Sequence, residues 1–137
     1  MEVPFLNLAK QNRELADEIL PLWKSILESA QFIGGEHVVS FEQEFAAACE
    51  VSHCAAVASG TDALRLIFIS LGLQPGDEVI TVPNTFIATT EAITQAGGSV
   101  RFIDIDPDTY NLSPTKLSET LAALPAEYRK KIKGIVP

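Results

Sequence analysis

Cysteine is scarce here: the 137 residues contain two, Cys49 and Cys54. A disulfide framework is not expected from them, and their five-residue offset matches no common zinc or redox spacing. Both are expected to be small buried hydrophobes in a reducing compartment. His37 and His53 have no clustered second ligand, so no metal site is expected. Basic charge is thin as well, with ten Lys and Arg against eighteen Asp and Glu for a net charge of -8. Apart from Arg129, Lys130 and Lys131 the bases stand singly, which argues against a nucleic-acid surface. Long apolar runs are missing: stretches such as Leu66 to Ile69 are too short to span a bilayer. Met1 to Leu8 carries no basic segment followed by an apolar run, so no signal peptide is expected, and the expected location is cytoplasmic. The eight glycines contain no G-x-G-x-x-G, and no Gly-Lys pair exists for a P-loop, which removes the main support for a dinucleotide or nucleoside triphosphate.

What remains, 47% hydrophobic and 20% charged residues, is the composition of a soluble globular domain. From Asn12 to Ala30, Leu15, Ile19, Leu20, Trp23, Ile26 and Leu27 recur at three- and four-residue steps, which predicts an amphipathic helix with Pro21 as a point of kinking. Phe32-Ile33-Gly34-Gly35 breaks the period, and a second helix is expected over Val38 to Cys49. The pattern then changes to strand at Cys54 to Ala58, helix from Ala63 to Leu71, strand at Glu78 to Val82, helix from Thr85 to Ala96, and strand at Val100 to Ile105. A helix over Pro114 to Leu124 and a strand over Ile132 to Val136 complete it. Such alternation predicts an α/β fold, a mostly parallel sheet with flanking helices. The expected division is an N-terminal helical arm over 1–50 and an incomplete α/β domain over 51–137. The last strand ends on Pro137 with no closing element, so a chain cut from something longer is expected.

Three stretches carry candidate chemistry. Ala58-Ser59-Gly60-Thr61-Asp62-Ala63-Leu64 leaves a buried strand and opens a helix through small residues. The first N–H groups of a helix lack intrahelical partners, and its dipole favours an anion there, so a phosphate fits with Gly60 permitting close approach and Thr61 adding a hydroxyl. Ser59 and Asp62 are equally spaced as a plain capping pair that needs no ligand. The second stretch, Val82-Pro83-Asn84-Thr85-Phe86, follows the next strand and should open toward the same sheet edge. Phe86 there suits stacking on a ring, or simple core packing. The third, Asp104-Ile105-Asp106-Pro107-Asp108, begins like a calcium loop, but Thr109 stands where Gly is needed and Thr115 where Glu is needed. It is expected to be a turn leading into the Pro114 helix.

Taken in order, these stretches resemble the DegT/DnrJ/EryC1/StrS family of sugar aminotransferases, pyridoxal phosphate enzymes of the aspartate aminotransferase fold. The matching blocks are Phe32-Ile33-Gly34-Gly35, Phe41-Glu42, Ser59 to Leu64, Pro75-Gly76-Asp77-Glu78-Val79-Ile80, Asn84-Thr85-Phe86-Ile87-Ala88-Thr89, and Asp104 to Leu112. The resemblance implies part of the large domain of that fold. It implies that Gly60 and Thr61 hold the phosphate of pyridoxal 5'-phosphate, that Asp62 assists through its backbone N–H, and that Phe86 stacks on the pyridine ring. The Phe32 to Gly35 segment is placed near the active-site mouth, and the full-length protein is implied to be a homodimer.

The implied reaction moves an amino group from glutamate to a nucleotide-linked keto-sugar, with the pyridoxal ring as electron sink and a Schiff-base lysine moving the proton. That lysine, a carboxylate on the pyridine nitrogen and a phosphate-binding Ser are all implied to lie beyond this segment. No lysine here is assigned a catalytic role, and the 137 residues alone are expected to be inactive. A non-catalytic or regulatory cofactor-binding relative, or a dehydratase of the same family, are the alternatives. The resemblance also suggests that strands from later sequence intervene between the second and fourth strands, so that only the second and third pair. Unpaired edges would then make the isolated chain prone to aggregation or disorder.

Overall fold

The computed structural model describes residues 3–137, which fall into two compact units, one ending at Ala56 and one running Val57–Pro137. The first unit is two helices, α1 (Leu8–Ser29) and α2 (Glu36–Ala48). Asn7 caps α1 by accepting the Lys10 N–H at 3.1 Å, and the helix continues through Pro21. Gly34 and Gly35, at φ of +64° and +91°, make the break between the helices, a backbone that a Cβ disfavours.

Among the described residues of this unit only Ala46 is buried. The expectation for the cysteines is corrected accordingly: Cys49 is exposed and Cys54 half-buried, because so little of this unit is covered. The expected strand over Cys54 to Ala58 is also absent. A strand exists only through ladder bonds to a neighbour, and the Ala56 N–H instead donates to Glu42 Oε1 at 2.7 Å.

The second unit contains α3 (Gly60–Ser70), β1 (Glu78–Thr81), α4 (Ile87–Gln95), β2 (Ser99–Phe102), α5 (Pro114–Ala123), the single turn α6 (Ala126–Arg129) and β3 (Ile132–Val136). The strands form one sheet in the order β2-β1-β3, with both pairings parallel. Ile80 stands opposite Arg101 on one side and Ile135 on the other. This overturns the expected pairing, since β3 lies directly against β1 with no strand between them. β2 and β3 each keep one edge unpaired among the described residues. The third strand is shorter than expected: its ladder stops at Phe102, and Ile105 makes an isolated antiparallel bridge to Leu112.

Successive residues of a strand point to opposite faces, so Val79 and Ile80 feed two separate cores. Val79 packs with Phe68, Leu73, Ala92 and Ile93 from the α3 and α4 side. Ile80 packs with Val82, Ile103 and Leu112, supported by Leu117 and Leu121 of α5. Burial on both faces explains why β1 carries apolar residues at adjacent positions, Val79 and Ile80, in place of strict alternation. Gly98 allows the chain to enter β2 tightly, because a Cβ there would sit 2.5 Å from Leu73 Cδ2.

Thr81 is 1% exposed, and its Oγ1 makes no hydrogen bond among the described residues. An unpaired buried hydroxyl costs stability, whereas a methyl of the same shape does not. Thr81→Val is therefore expected to raise the urea unfolding midpoint, by about 1 kcal/mol of stability.

Candidate functional site

α3 begins immediately after Ser59, whose extended backbone makes it the N-cap. Its Oγ accepts the Asp62 N–H at 3.1 Å, and its carbonyl accepts the Ala63 N–H at 2.9 Å. The N–H groups of Ser59, Gly60 and Thr61 donate to no group among the described residues. Capping and anion binding are thus compatible here, since Ser59 satisfies one first-turn donor and leaves three adjacent amides free. A Cβ built on Gly60 would meet nothing within 4 Å among the described residues, so the space beside Gly60 is open.

The second stretch arrives beside it. Phe86 is the N-cap of α4, in extended conformation at φ -70° and ψ 141°, and its side chain is 77% exposed. Core packing therefore does not account for it. The turn that carries Phe86 is fixed from both sides, by Thr85 Oγ1 and Thr89 Oγ1 at 3.1 Å and by the Thr89 N–H on the Phe86 carbonyl at 3.1 Å. Gly60, Thr61, Leu64, Phe86, Ala88 and Thr89 line one open cleft of about 550 Å³. The sequence singled out Gly60, Thr61 and Phe86; Leu64, Ala88 and Thr89 join them because helical spacing turns them to the same side.

Asp62 is placed differently from the sequence expectation. Its N–H is already engaged by Ser59, and its carboxylate Oδ1 is held by Arg65, with Nε at 3.2 Å and Nη2 at 2.9 Å. Arg65 lies outside the cleft lining and reaches the site only through Asp62; its i,i+3 offset from that acid is the sequence signal for the pair.

The acidic stretch forms the expected turn. Asp106 Oδ1 accepts the N–H groups of Asp108 at 3.0 Å and Thr109 at 3.1 Å, while Asp104 Oδ2 pairs with Lys116 Nζ at 2.7 Å. No group of three or more His, Cys, Asp or Glu suited to a metal occurs among the described residues. The two backbone bonds, led by Thr109, hold the Asp106 carboxyl below the usual range, and the Lys116 hydrogen bond does the same for Asp104. The folded chain therefore binds fewer protons than the unfolded one. The resulting stability is complete above the ordinary carboxylate value of about 3.9 and is lost as pH falls from there through the lowered values. In acid titration followed by circular dichroism, Asp106→Ala is expected to lose less stability than wild type below pH about 4, having no such turn bonds to lose.

Comparison with known proteins places the chain in a family. The family model for the DegT/DnrJ/EryC1/StrS aminotransferase family matches residues 13–135. The chain belongs to that family. Family relatives include a pleiotropic regulatory protein of Geobacillus stearothermophilus, 36% identical over all 137 residues, and the UDP-2-acetamido-2-deoxy-3-oxo-D-glucuronate aminotransferase of Pseudomonas aeruginosa, 34% identical over 98% of this chain. The chain spans about a third of these relatives' lengths, 35% and 36%.

Among solved structures of the family, a DegT DnrJ EryC1 StrS aminotransferase from Brucella abortus superposes with a TM-score of 0.91 at 31% identity, over 99% of this chain and 36% of that one. NtdA from Bacillus subtilis with bound cofactor PMP superposes with a TM-score of 0.82 at 32% identity, over 91% of this chain and 28% of that one. The α/β architecture with a parallel sheet and flanking helices is therefore that of the corresponding part of the family's aminotransferases.

Proposed function

We propose that this chain is the cofactor-phosphate part of a pyridoxal phosphate-dependent aminotransferase that passes an amino group from glutamate to a nucleotide-linked keto-sugar. The observation that carries the reading is the cleft itself: the unengaged amides of Gly60 and Thr61 at the start of α3 lie in one cleft with an exposed aromatic ring at the N-cap of α4. A phosphomonoester attached to a flat ring needs these two features, and the open space over Gly60 admits it. The relative from Pseudomonas aeruginosa, named for a nucleotide-linked keto-sugar, supports that substrate class.

In this reading the amides of Gly60 and Thr61 donate to the phosphate, and the Thr61 hydroxyl gives one further bond. Asp62, with its N–H already on Ser59 Oγ, supports the turn rather than touching the anion. The Phe86 ring covers one face of the pyridine and keeps water from it. When bound, pyridoxal phosphate supplies the electron sink that the 20 side-chain types lack. The resemblance implies a Schiff-base lysine outside this segment, so we assign no proton-transfer residue here and expect this chain alone to be inactive. No helix among the described residues is long and apolar enough to cross a membrane. A homodimer, implied by the family resemblance, and the cytoplasmic location expected from the sequence are both part of the proposal.

The second reading is a regulatory cofactor binder, favoured by the name of the Geobacillus stearothermophilus relative. The two separate in one experiment on the intact protein: absorbance after loading with pyridoxal phosphate, before and after glutamate, and after borohydride. The aminotransferase reading expects a visible band that glutamate converts and that borohydride fixes to the protein. A cofactor that binds but is neither converted nor fixed contradicts it, and leaves the regulatory or dehydratase reading.

A further inference from the structure

The capping pair at the start of α3 is only half made. In a reciprocal cap the residue at the third helical position returns its carboxylate to the N-cap N–H. Ser59 Oγ does accept the Asp62 N–H, at 3.1 Å, but the Asp62 carboxylate is turned away to Arg65, whose Nε and Nη2 both reach Oδ1 at 3.2 and 2.9 Å. The pair is about one-third exposed on each side, 35% for Arg65 and 33% for Asp62, so the contact is neither buried nor loosely solvated. The diversion leaves the Ser59 amide free beside those of Gly60 and Thr61.

Asp62 is therefore a resident competitor for the anion. Released from Arg65, its carboxylate would return to the Ser59 N–H, next to the Gly60 and Thr61 amides, and its charge opposes a phosphate there from the first turn of the helix. We infer that Arg65 is a positioning residue for the cofactor phosphate: by holding and neutralising the Asp62 carboxylate one turn along α3, it keeps the amides of Ser59, Gly60 and Thr61 open to a phosphomonoester. Arg65 does not line the cleft, so it acts through Asp62. This inference rests on the cradle assignment above and adds the residue that controls its occupancy.

The test uses the intact protein and pyridoxamine 5'-phosphate, with pyridoxamine as the probe lacking the phosphate, both followed by fluorescence titration in low salt. Arg65→Met is expected to weaken pyridoxamine 5'-phosphate roughly tenfold, the scale of one charge moved onto a helix end, and to leave pyridoxamine unchanged. The thermal midpoint of the cofactor-free variant should hold or rise, because the released carboxylate completes the cap. Removing the competitor as well, in Asp62→Ala with Arg65→Met, should restore affinity to within about threefold of wild type, and Arg65→Lys, which keeps the charge, should stay in the same range.

Unchanged phosphate affinity in Arg65→Met overturns the inference while leaving the cradle in place. A loss that the double variant does not restore overturns it too, since Arg65 would then act other than through Asp62. A wild-type protein that binds both probes equally removes the cradle assignment, and the inference with it.

Discussion

Gly60→Asp is expected to weaken pyridoxamine 5'-phosphate binding by the intact protein on the order of a hundredfold while leaving the fold as stable as before. Two unlike charges or two like ones at about 4 Å interact by roughly 1 kcal/mol in water and 4 kcal/mol at the dielectric of a protein surface. A carboxylate set among the amides meant for a phosphate meets that penalty directly, and it also occupies the donors. Steric damage from the described residues is not available as an explanation, because a Cβ at Gly60 meets none of them within 4 Å. Helix damage is not available either, since an acid in the first turn favours the dipole. Gly60→Ala, which adds the Cβ without the charge, is the control and should cost only a few-fold. Titration gives the affinity and a thermal melt gives the stability. Equal binding by Gly60→Asp and wild type would contradict the placement of the phosphate.

The second large effect is on the fold. Ile93 is 0% exposed and packs with Phe68, Leu73, Val79 and Ala92 where α4 meets β1. Truncation to Ala removes its transfer free energy and leaves a cavity that close-packed neighbours cannot fill, a loss of about 2–5 kcal/mol. Against a total of roughly 5–15 kcal/mol for a domain, that is a large fraction. Glu91→Ala, two positions earlier on the exposed side of the same helix, should stay within about 0.5 kcal/mol. Urea unfolding of the two variants checks the pair. Because Ile93 and Phe86 sit at the two ends of one short helix, Ile93→Ala is also expected to loosen the cleft wall before the domain unfolds.

The local pattern of the chain was legible wherever one residue type could do only one thing. The small-residue turn Ser59-Gly60-Thr61 and the aromatic Phe86 after a strand could be picked out because their chemistry is local. β1 could be read because Val79 and Ile80 belong to a run apolar on both faces. What was not legible depended on which elements meet. The order of strands in a parallel sheet is decided by docking, so nothing within Ile132 to Val136 announced that β3 would pair with β1. The apolar run at Cys54 to Ala58 looked like a strand but has no ladder neighbour among the described residues. Cys49 is exposed for the related reason that composition says how apolar a residue is and not what covers it. Arg65 escaped notice because an isolated basic residue on a helix is ordinary until its guanidinium is seen on Asp62.

In the proposed site the start of α3 holds a phosphate and the start of α4 covers a ring. A crystal structure of the intact protein with pyridoxamine 5'-phosphate tests it most directly. Phosphate oxygens are expected at about 2.7–3.2 Å from the Gly60 and Thr61 amide nitrogens, with the Phe86 ring against the pyridine face. A phosphate seated away from these amides, or a pyridine ring that does not meet Phe86, would contradict it.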